Sequence, residues 1–308
     1  MLKPAAVAPD ARVAVIAPAS SSKPERLVRG MEALRARGYD AEFGKYAQGR
    51  QAPYFSGTAE ERLADLHAAF ADPEVQAVFC TRGGYGSNYL LEDIDLDLIR
   101  DNPKPFFGYS DMTAVQTWLL DELGLISFHG PMVAADFAVD HGVQDASLDA
   151  ALDGDAVAVG AAEGLRILKP GRAEGTMYGG CLSILTSSLG TRFAPQTEGK
   201  LLFLEDVGTK PYQVDRMLRQ MVLAGKFDGV AGFVFGEMLE CASPGASPDL
   251  LEQVILRVLD WFDGPIAIGL RSGHVSRGNV TLPFGIEAEL ILEEEPVLRY
   301  LEPAVQAE

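Results

Sequence analysis

A serine closing a short apolar run is the first place in this chain where chemistry can be located. In Phe106-Phe107-Gly108-Tyr109-Ser110-Asp111-Met112-Thr113 the strand-like run stops at Ser110, and Ala114-Val115-Gln116-Thr117-Trp118-Leu119-Leu120 at once begins a helical pattern. A serine on so tight a strand-to-helix turn has its hydroxyl pushed out beyond the sheet edge. The next backbone N–H, that of Asp111, faces the same space at a helix N-terminus. One segment thus offers a nucleophile and half of an oxyanion hole. The pattern is incomplete, because Met112 stands where the second glycine of G-x-S-x-G belongs. A plainer use competes and, on local sequence alone, is the commoner one: Ser110 as a helix N-cap, with Asp111 complementing the helix dipole in the first turn.

Other segments offer partners for such a serine. Arg82-Gly83-Gly84-Tyr85-Gly86 sits where a dinucleotide fingerprint would, but its spacing is not G-x-G-x-x-G and there is no P-loop lysine, so no phosphate cradle is expected. A glycine pair at a strand end lets backbone N–H groups approach a ligand, which suits the second half of an oxyanion hole; a tight turn explains the same residues. Glu205 closes the apolar run Leu201-Leu202-Phe203-Leu204, with Asp206 next. A carboxylate there is either exposed at the sheet edge or buried with a partner, since an unpaired buried charge is very costly. An imidazole is its natural partner. Among His67, His129, His141 and His274, only His274 combines a glycine-flanked loop, Gly269-Leu270-Arg271-Ser272-Gly273-His274-Val275, with a nearby acidic strand end. A serine hydroxyl needs a base, and the base a carboxylate to fix its tautomer. Ser110, His274 and Glu205 suit those roles, and their chain order is chemically immaterial.

Composition narrows the partners. With 44 acidic against 26 basic side chains the formal charge is -18, which repels phosphate backbones and anionic lipid, so neither nucleic acid nor a membrane surface is expected. The N-terminal residues hold no apolar run of signal-peptide length, and no stretch approaches the roughly 20 apolar residues of a membrane span. A cytoplasmic location is expected. Cys80, Cys181 and Cys241 are widely spaced without a C-x-x-C pair, and the histidines form no ligand pair. Neither a disulfide framework, nor a metal, nor a cofactor is expected.

The elements that must position these residues follow from periodicity. Strands are expected at 12–17, 39–43, 77–80, 105–109 and 126–129, with helical stretches between them, most strongly at 24–37 and 59–70. That alternation indicates an α/β chain beginning with a doubly wound, mostly parallel sheet. Ligands of such sheets gather at the carboxyl ends of the strands, where Ser20, the Arg82-Gly83-Gly84 loop, Ser110 and His129 all fall. Residues 140–175 lose the rhythm. Beyond them Gly179-Gly180 is expected to open a helix, strands and helices alternate again to about residue 269, and 279–284, 286–291 and 297–300 read as an antiparallel hairpin region. The chain is therefore divided into an N-terminal Rossmann-like domain at 1–140, a linker at 141–175, and a smaller α/β C-terminal domain with a β-rich end at 176–308.

Taken together, the chain resembles the LD-carboxypeptidases, serine peptidases that remove the terminal D-alanine from cytoplasmic muropeptides during peptidoglycan recycling. The resemblance rests on Val15-Ile16-Ala17-Pro18-Ala19-Ser20, Arg82-Gly83-Gly84-Tyr85-Gly86, Gly108-Tyr109-Ser110-Asp111, His129-Gly130-Pro131, Gly179-Gly180 with Leu182-Ser183, Phe203-Leu204-Glu205-Asp206, Tyr212 with Asp215-Arg216-Met217-Leu218, and Gly273-His274 with Leu282-Pro283-Phe284-Gly285. Their order along the chain makes it specific. It implies Ser110 as nucleophile, His274 as general base and then acid, Glu205 as the residue orienting it, and the N–H groups of Gly84 and Asp111 as the oxyanion hole. It further implies an active site between two domains, commonly in a homodimer. Arg82 is a candidate for the substrate's free carboxylate, since guanidinium binds carboxylates bidentately. Two departures stand out: Cys181 where many relatives have asparagine, and Thr209 where many have a second acid. The expected activity is hydrolysis of an L,D-peptide bond that releases D-alanine from murein tetrapeptides. Two alternatives remain. One is a peptidase of the branch that cleaves peptidyl-nucleotide antibiotics such as microcin, whose extra aromatic-bearing loop has no clear counterpart here. The other is a catalytically silent small-molecule binding protein.

Overall fold

Short β-branched and aromatic runs alternate with amphipathic stretches through the first half of the chain, and each becomes a strand or a helix packed on it. The computed structural model describes all residues except 51–52, 243–244, 246 and 307–308. In chain order the first elements are β1 (Arg12–Ile16), α1 (Pro24–Ala36), β2 (Asp40–Phe43), α2 (Ala59–Ala71), β3 (Val75–Cys80), α3 (Leu96–Asp101), β4 (Phe106–Gly108), α4 (Thr113–Leu123) and β5 (Ser127–His129). Pro24 starts α1, where its missing N–H costs nothing. Thr58 and Glu61 close a capping box at the start of α2. The parallel strands β1 to β5 bury aromatic side chains against one another, with Phe79 stacked on Phe107 and Phe107 on Phe128 at ring separations of 4.4 and 4.7 Å.

The remaining elements are α5 (Asp145–Asp153), β6 (Ala158–Gly160), β7 (Arg166–Lys169), β8 (Gly171–Cys181), α6 (Leu182–Ser187), β9 (Lys200–Glu205), α7 (Pro211–Leu223), β10 (Gly232–Gly236), α8 (Leu250–Val258), β11 (Ile266–Leu270), β12 (Leu282–Phe284), β13 (Glu287–Leu292) and β14 (Pro296–Tyr300). They build a second sheet in the order β6-β14-β13-β8-β9-β10-β11-β7, parallel from β8 to β11 and antiparallel at its flanks. The first sheet runs β12-β5-β4-β3-β1-β2, so its connections reverse direction between β1 and β3. That crevice is the switch point at which a doubly wound sheet binds ligands.

Two features depart from the sequence reading. Gly179-Gly180 does not open a helix; β8 runs through both glycines, and the helix begins at Leu182. A Cβ on Gly179 would lie 1.9 Å from the Phe203 carbonyl oxygen, and one on Gly180 2.5 Å from Thr113 Oγ1. The glycines serve close packing, which local propensity does not register. The second departure is β12, which does not join the hairpin of β13 and β14. It crosses to the first sheet and pairs antiparallel with β5, Leu282 opposite His129 and Phe284 opposite Ser127. As an edge strand it tolerates Pro283. The stretch at 141–175 carries α5, β6 and β7, and the two strands lie at opposite ends of the second sheet.

One apolar core is continuous across both sheets, joining Val13, Phe107 and Phe128 to Leu202, Phe203 and Phe233. At the seam Tyr178 on β8 donates its hydroxyl hydrogen to Asp121 Oδ2 on α4 at 2.8 Å and accepts the Gln196 N–H. Burial raises the Asp121 carboxyl to about 6, although the Tyr178 hydroxyl favours its ionised form. A carboxyl whose folded pKa lies above its unfolded value of 3.8 stabilises the fold below that value, and the contribution is lost as pH rises through about 6. Asp121→Asn removes this titration. Thermal melts should show the variant more stable than the wild type above neutrality, with the difference shrinking as pH falls toward about 4.

Candidate active site

β4 ends at Gly108 and α4 begins at Thr113, so the chain turns from strand to helix within Tyr109, Ser110, Asp111 and Met112. Ser110 takes the strained position in that turn, with φ of 63°, in the left-handed region that a β-carbon disfavours and a nucleophile elbow imposes. The N-cap alternative falls here. Tyr109 precedes the 3₁₀ turn Ser110–Met112 and Met112 precedes α4, and neither cap is closed by a side chain. Met112, fully buried, folds back over Gly108, where a Cβ would lie 2.7 Å from its Cγ. The glycine the turn requires is therefore Gly108, and the residue after Asp111 is free to be large. Gln116 fastens the strand ends beneath, its Nε2 donating to the carbonyls of Gly108 and Phe128 at 3.0 and 2.9 Å.

The Gly83-Gly84 loop lies directly over this turn. A Cβ on Gly83 would stand 2.6 Å from Ser110 Cβ and 2.8 Å from its Oγ. Ser20, in the loop that follows β1, holds the glycine loop: its Oγ accepts the Tyr85 N–H at 3.1 Å, and its N–H reaches the Gly83 carbonyl at 3.4 Å. Asp111 anchors the other side, with Oδ2 accepting the Ser87 N–H and its carbonyl accepting the Ser87 hydroxyl, both at 2.7 Å. Among the described residues no turn or loop carbonyl takes the N–H of Gly84 or Asp111. Buried Arg62 ties the surrounding loops by donating Nη1 to the carbonyls of Pro18 and Gly86 at 2.6 Å each.

Glu205 is completely buried at the end of β9. Its Oε2 accepts the His274 ring Nδ1–H at 2.8 Å and the His274 backbone N–H at 3.1 Å. That contact leaves Nε2 of His274 for a substrate or for Ser110. Burial, the largest single influence, opposes charge on the His274 ring, but the Glu205 carboxylate beside it, together with Asp206 and Asp136, outweighs burial and raises its pKa above the ordinary 6.5. Gly273 makes the approach possible: it has φ of 89°, and a Cβ there would lie 2.7 Å from Glu205 Cδ and 2.8 Å from His129 Cε1. Asn279 clamps the same turn, accepting the Gly273 N–H through Oδ1 at 3.0 Å and donating Nδ2 to the Gly273 carbonyl at 3.1 Å. Its amide also donates to buried Asp136, whose carboxyl burial raises to about 6. The Tyr109 ring meets the His274 ring edge to face at 5.1 Å.

Ser110, His274, Gly84 and Arg82 line one cavity of about 370 Å³ at the ends of β3 and β4. Glu205 lies behind His274, outside that lining. Asp111 borders a larger neighbouring cavity of about 510 Å³, walled by Tyr85, Tyr89 and Phe193, which contains neither the serine nor a histidine. The smaller cavity, which brings the serine and the histidine together, is therefore the candidate site. His129 is buried on the far side of Glu205, His141 borders an adjoining cavity that shares His274, and His67 sits near the surface, where it accepts the Asp95 N–H. Asp136 and Asn279 carry no signal in the sequence; an asparagine acting on a turn six residues away leaves no local signature. Of the two departing residues, Thr209 donates its hydroxyl to Asp206 Oδ1 at 2.8 Å, and Cys181 donates its N–H to Thr113 Oγ1 at 3.0 Å.

A strained serine, a histidine and a buried carboxylate at the joined edges of two α/β sheets define the class of serine hydrolases. Comparison with known proteins is more specific. Residues 13–130 match the LD-carboxypeptidase N-terminal domain and 174–290 the LD-carboxypeptidase C-terminal domain. The chain is 39% identical over 297 residues to a probable murein peptide carboxypeptidase of Bacillus subtilis, covering 95% of this chain and 92% of that protein. It superposes on the crystal structure of a muramoyltetrapeptide carboxypeptidase from Oxalobacter formigenes with a TM-score of 0.80 at 28% identity, covering 94% and 98% of the two chains. It also superposes on an MccF-like protein from Bacillus anthracis with a TM-score of 0.89 at 27% identity, covering 97% and 99%. The chain belongs to the LD-carboxypeptidase family.

Gly273 tests the tightness of this packing. Gly273→Ala forces a β-carbon into Glu205 and His129 at a positive φ, and should cost about 1–3 kcal/mol in denaturant unfolding while disabling turnover. Unchanged stability and unchanged turnover would show that the turn has room to shift.

Proposed function

We propose that the protein is a serine LD-carboxypeptidase that releases the C-terminal D-alanine of murein tetrapeptides, with Ser110, His274 and Glu205 as its catalytic residues. The observation that carries this reading is the shared cavity of Ser110 and His274, with Glu205 bonded to the far nitrogen of the imidazole. The murein peptide carboxypeptidases among its relatives support the substrate. The Ser110 hydroxyl attacks the scissile carbonyl carbon while His274 Nε2 takes its proton. The resulting oxyanion is held by the N–H groups of Gly84 and Asp111. His274, now cationic and stabilised by Glu205, passes the proton to the departing D-alanine nitrogen as the C–N bond breaks and an ester to Ser110 remains. Water, deprotonated by His274, then cleaves the ester, and the proton returns to Ser110.

The cavity wall supports a substrate rich in carboxylates. In a chain of net charge -18, this cavity is lined, among the described residues, by Lys23, Arg26 and Arg82 and by no acidic residue. Arg82, on the glycine loop beside the oxyanion donors, is assigned to the free carboxylate of the leaving residue. We divide the functional parts as 1–140, bearing the serine, and 176–308, bearing Glu205 and His274, joined by 141–175. The reading includes a cytoplasmic location, supported by three free buried cysteines, and a homodimer. Among the described residues no helix is long and apolar enough to cross a membrane.

A purified sample should release D-alanine from a murein tetrapeptide, and Ser110→Ala should abolish release while the variant still binds the peptide in calorimetry. Turnover of a peptidyl-adenylate analogue alone would reject the substrate assignment. Because His274 must be neutral to accept the serine proton, kcat/KM should fall on the acid side with a midpoint above the ordinary histidine value of 6.5. Glu205→Gln should move that midpoint down and lower kcat severely, since the imidazolium loses its counter-charge.

A further inference from the structure

Glu205 has two carboxylate oxygens, and the contacts with His274 engage only one. Oε1 is buried and, among the described residues, has no hydrogen-bond partner. At 4.0 Å from it lies Nε2 of His129, equally buried and equally without a partner. Two orphaned polar atoms of complementary chemistry, both at 0% exposure, call for a physical account. The ring of His129 is walled by Phe203 and Phe284 at 5.1 and 5.3 Å.

The tautomer of His129 is decided by its other nitrogen. Nδ1 is 3.0 Å from Ser272 Oγ, and that hydroxyl is also 2.8 Å from the Val280 carbonyl. A hydroxyl has one proton to donate. If Val280 receives it, His129 must carry its ring proton on Nδ1 and present the Nε2 lone pair to a carboxylate oxygen. If His129 Nδ1 receives it, the Val280 carbonyl loses that 2.8 Å hydrogen bond, and the ring proton sits on Nε2 and points at Oε1. Burial, with the nearby charge of His274, lowers the His129 pKa to about 3, so the ring is neutral and the choice lies between these two forms. The buried anion repels the lone pair and attracts the N–H dipole.

We propose that His129 is a positioning residue for the reaction, its Nε2–H held toward Oε1 so that the Glu205 carboxylate is fixed between two imidazoles. With one oxygen restrained by His129, rotation of the carboxylate is limited, and Oε2 faces His274 in one orientation. The arrangement also links the sheets. His129 ends β5 in register with Gly108 on β4, the strand that leads to Ser110, while Glu205 ends β9 of the other sheet. The general base is thereby oriented relative to the strand that carries its nucleophile. The inference rests on the peptidase reading above for its kinetic consequence, but not for the tautomer.

The test combines spectroscopy with two variants of the full-length protein. Nitrogen-15 NMR of histidine-labelled protein, with His129 assigned by its loss in a variant, should show a protonated Nε2 and an unprotonated Nδ1. His129→Gln places an amide nitrogen near the Nε2 position and retains a donor toward Glu205; His129→Asn places its amide near Nδ1 and retains only the Ser272 contact. The asparagine variant should lose about 10-fold in kcat, less than a full hydrogen bond to a charged group would give, because donor and carboxylate stand 4.0 Å apart, with KM changed by less than about threefold. The glutamine variant should recover most of the loss. A residue that served only to pack or to hold Ser272 would give the opposite order. An Nδ1–H tautomer in the wild type, or an asparagine variant as active as the glutamine one, would overturn the proposal. Where one variant fails to fold, the other still assigns the His129 signals, and inactivity of the wild type on murein peptide would count against the peptidase reading alone.

Discussion

A carboxylate buried to zero exposure at the end of β9 is the constraint around which the site is organised. An ionised group withdrawn from water costs several kcal/mol unless nearby donors replace its hydration. Glu205 meets that demand with the ring and backbone N–H of His274. Both donors come from one residue, so the loop that carries it must approach the β9 end very closely. Gly273 allows this on the loop, as Gly236 at the end of neighbouring β10 allows the close approach of that strand: a β-carbon on either would lie 2.7 Å from an atom of Glu205. Asn279, bonded to both backbone groups of Gly273, then prevents the turn from relaxing away.

The loop bearing His274 is held at both ends by different sheets. It leaves β11 in the second sheet and enters β12, which pairs with β5 in the first. With the apolar core continuous across the seam, the distance between imidazole and serine is fixed by strand pairing as well as by packing. A hinge between two independent bodies would leave that distance free; this connectivity does not. The strain at Ser110 has the same origin, because a turn of four residues between β4 and α4, covered by the Gly83-Gly84 loop, is over-determined by its surroundings.

Electrostatics inside the cavity run against those of the chain. A net charge of -18 repels an anionic peptide at long range, yet the cavity wall presents Lys23, Arg26 and Arg82 without a carboxylate among its lining residues. At physiological ionic strength exposed charges beyond about 8 Å are largely screened. An anion inside the cavity therefore meets these local cations more than the charge of the whole chain.

Much of the framework was legible in the residues themselves. Alternating apolar runs and helical stretches identify the parallel first sheet, because strand and helix periods are local properties. The glycine loop, Ser110 and the acid at the end of a strand are legible for the same reason, since each marks a strand terminus. Local patterning could not choose between Ser110 as helix cap and Ser110 as strained elbow; only the backbone dihedral and the empty caps did. Nor could it read β8 through Gly179-Gly180, or send Leu282–Phe284 across to β5, because both depend on what approaches from a distant part of the chain. Asn279, Asp136 and the proximity of His129 to Glu205 belong to that second kind. Sequence determined which residues stand at strand ends, since that follows from short-range sterics and hydrophobic period. Tertiary structure decided which of those ends meet, since burying a charge selects partners by proximity in space and is indifferent to their separation along the chain.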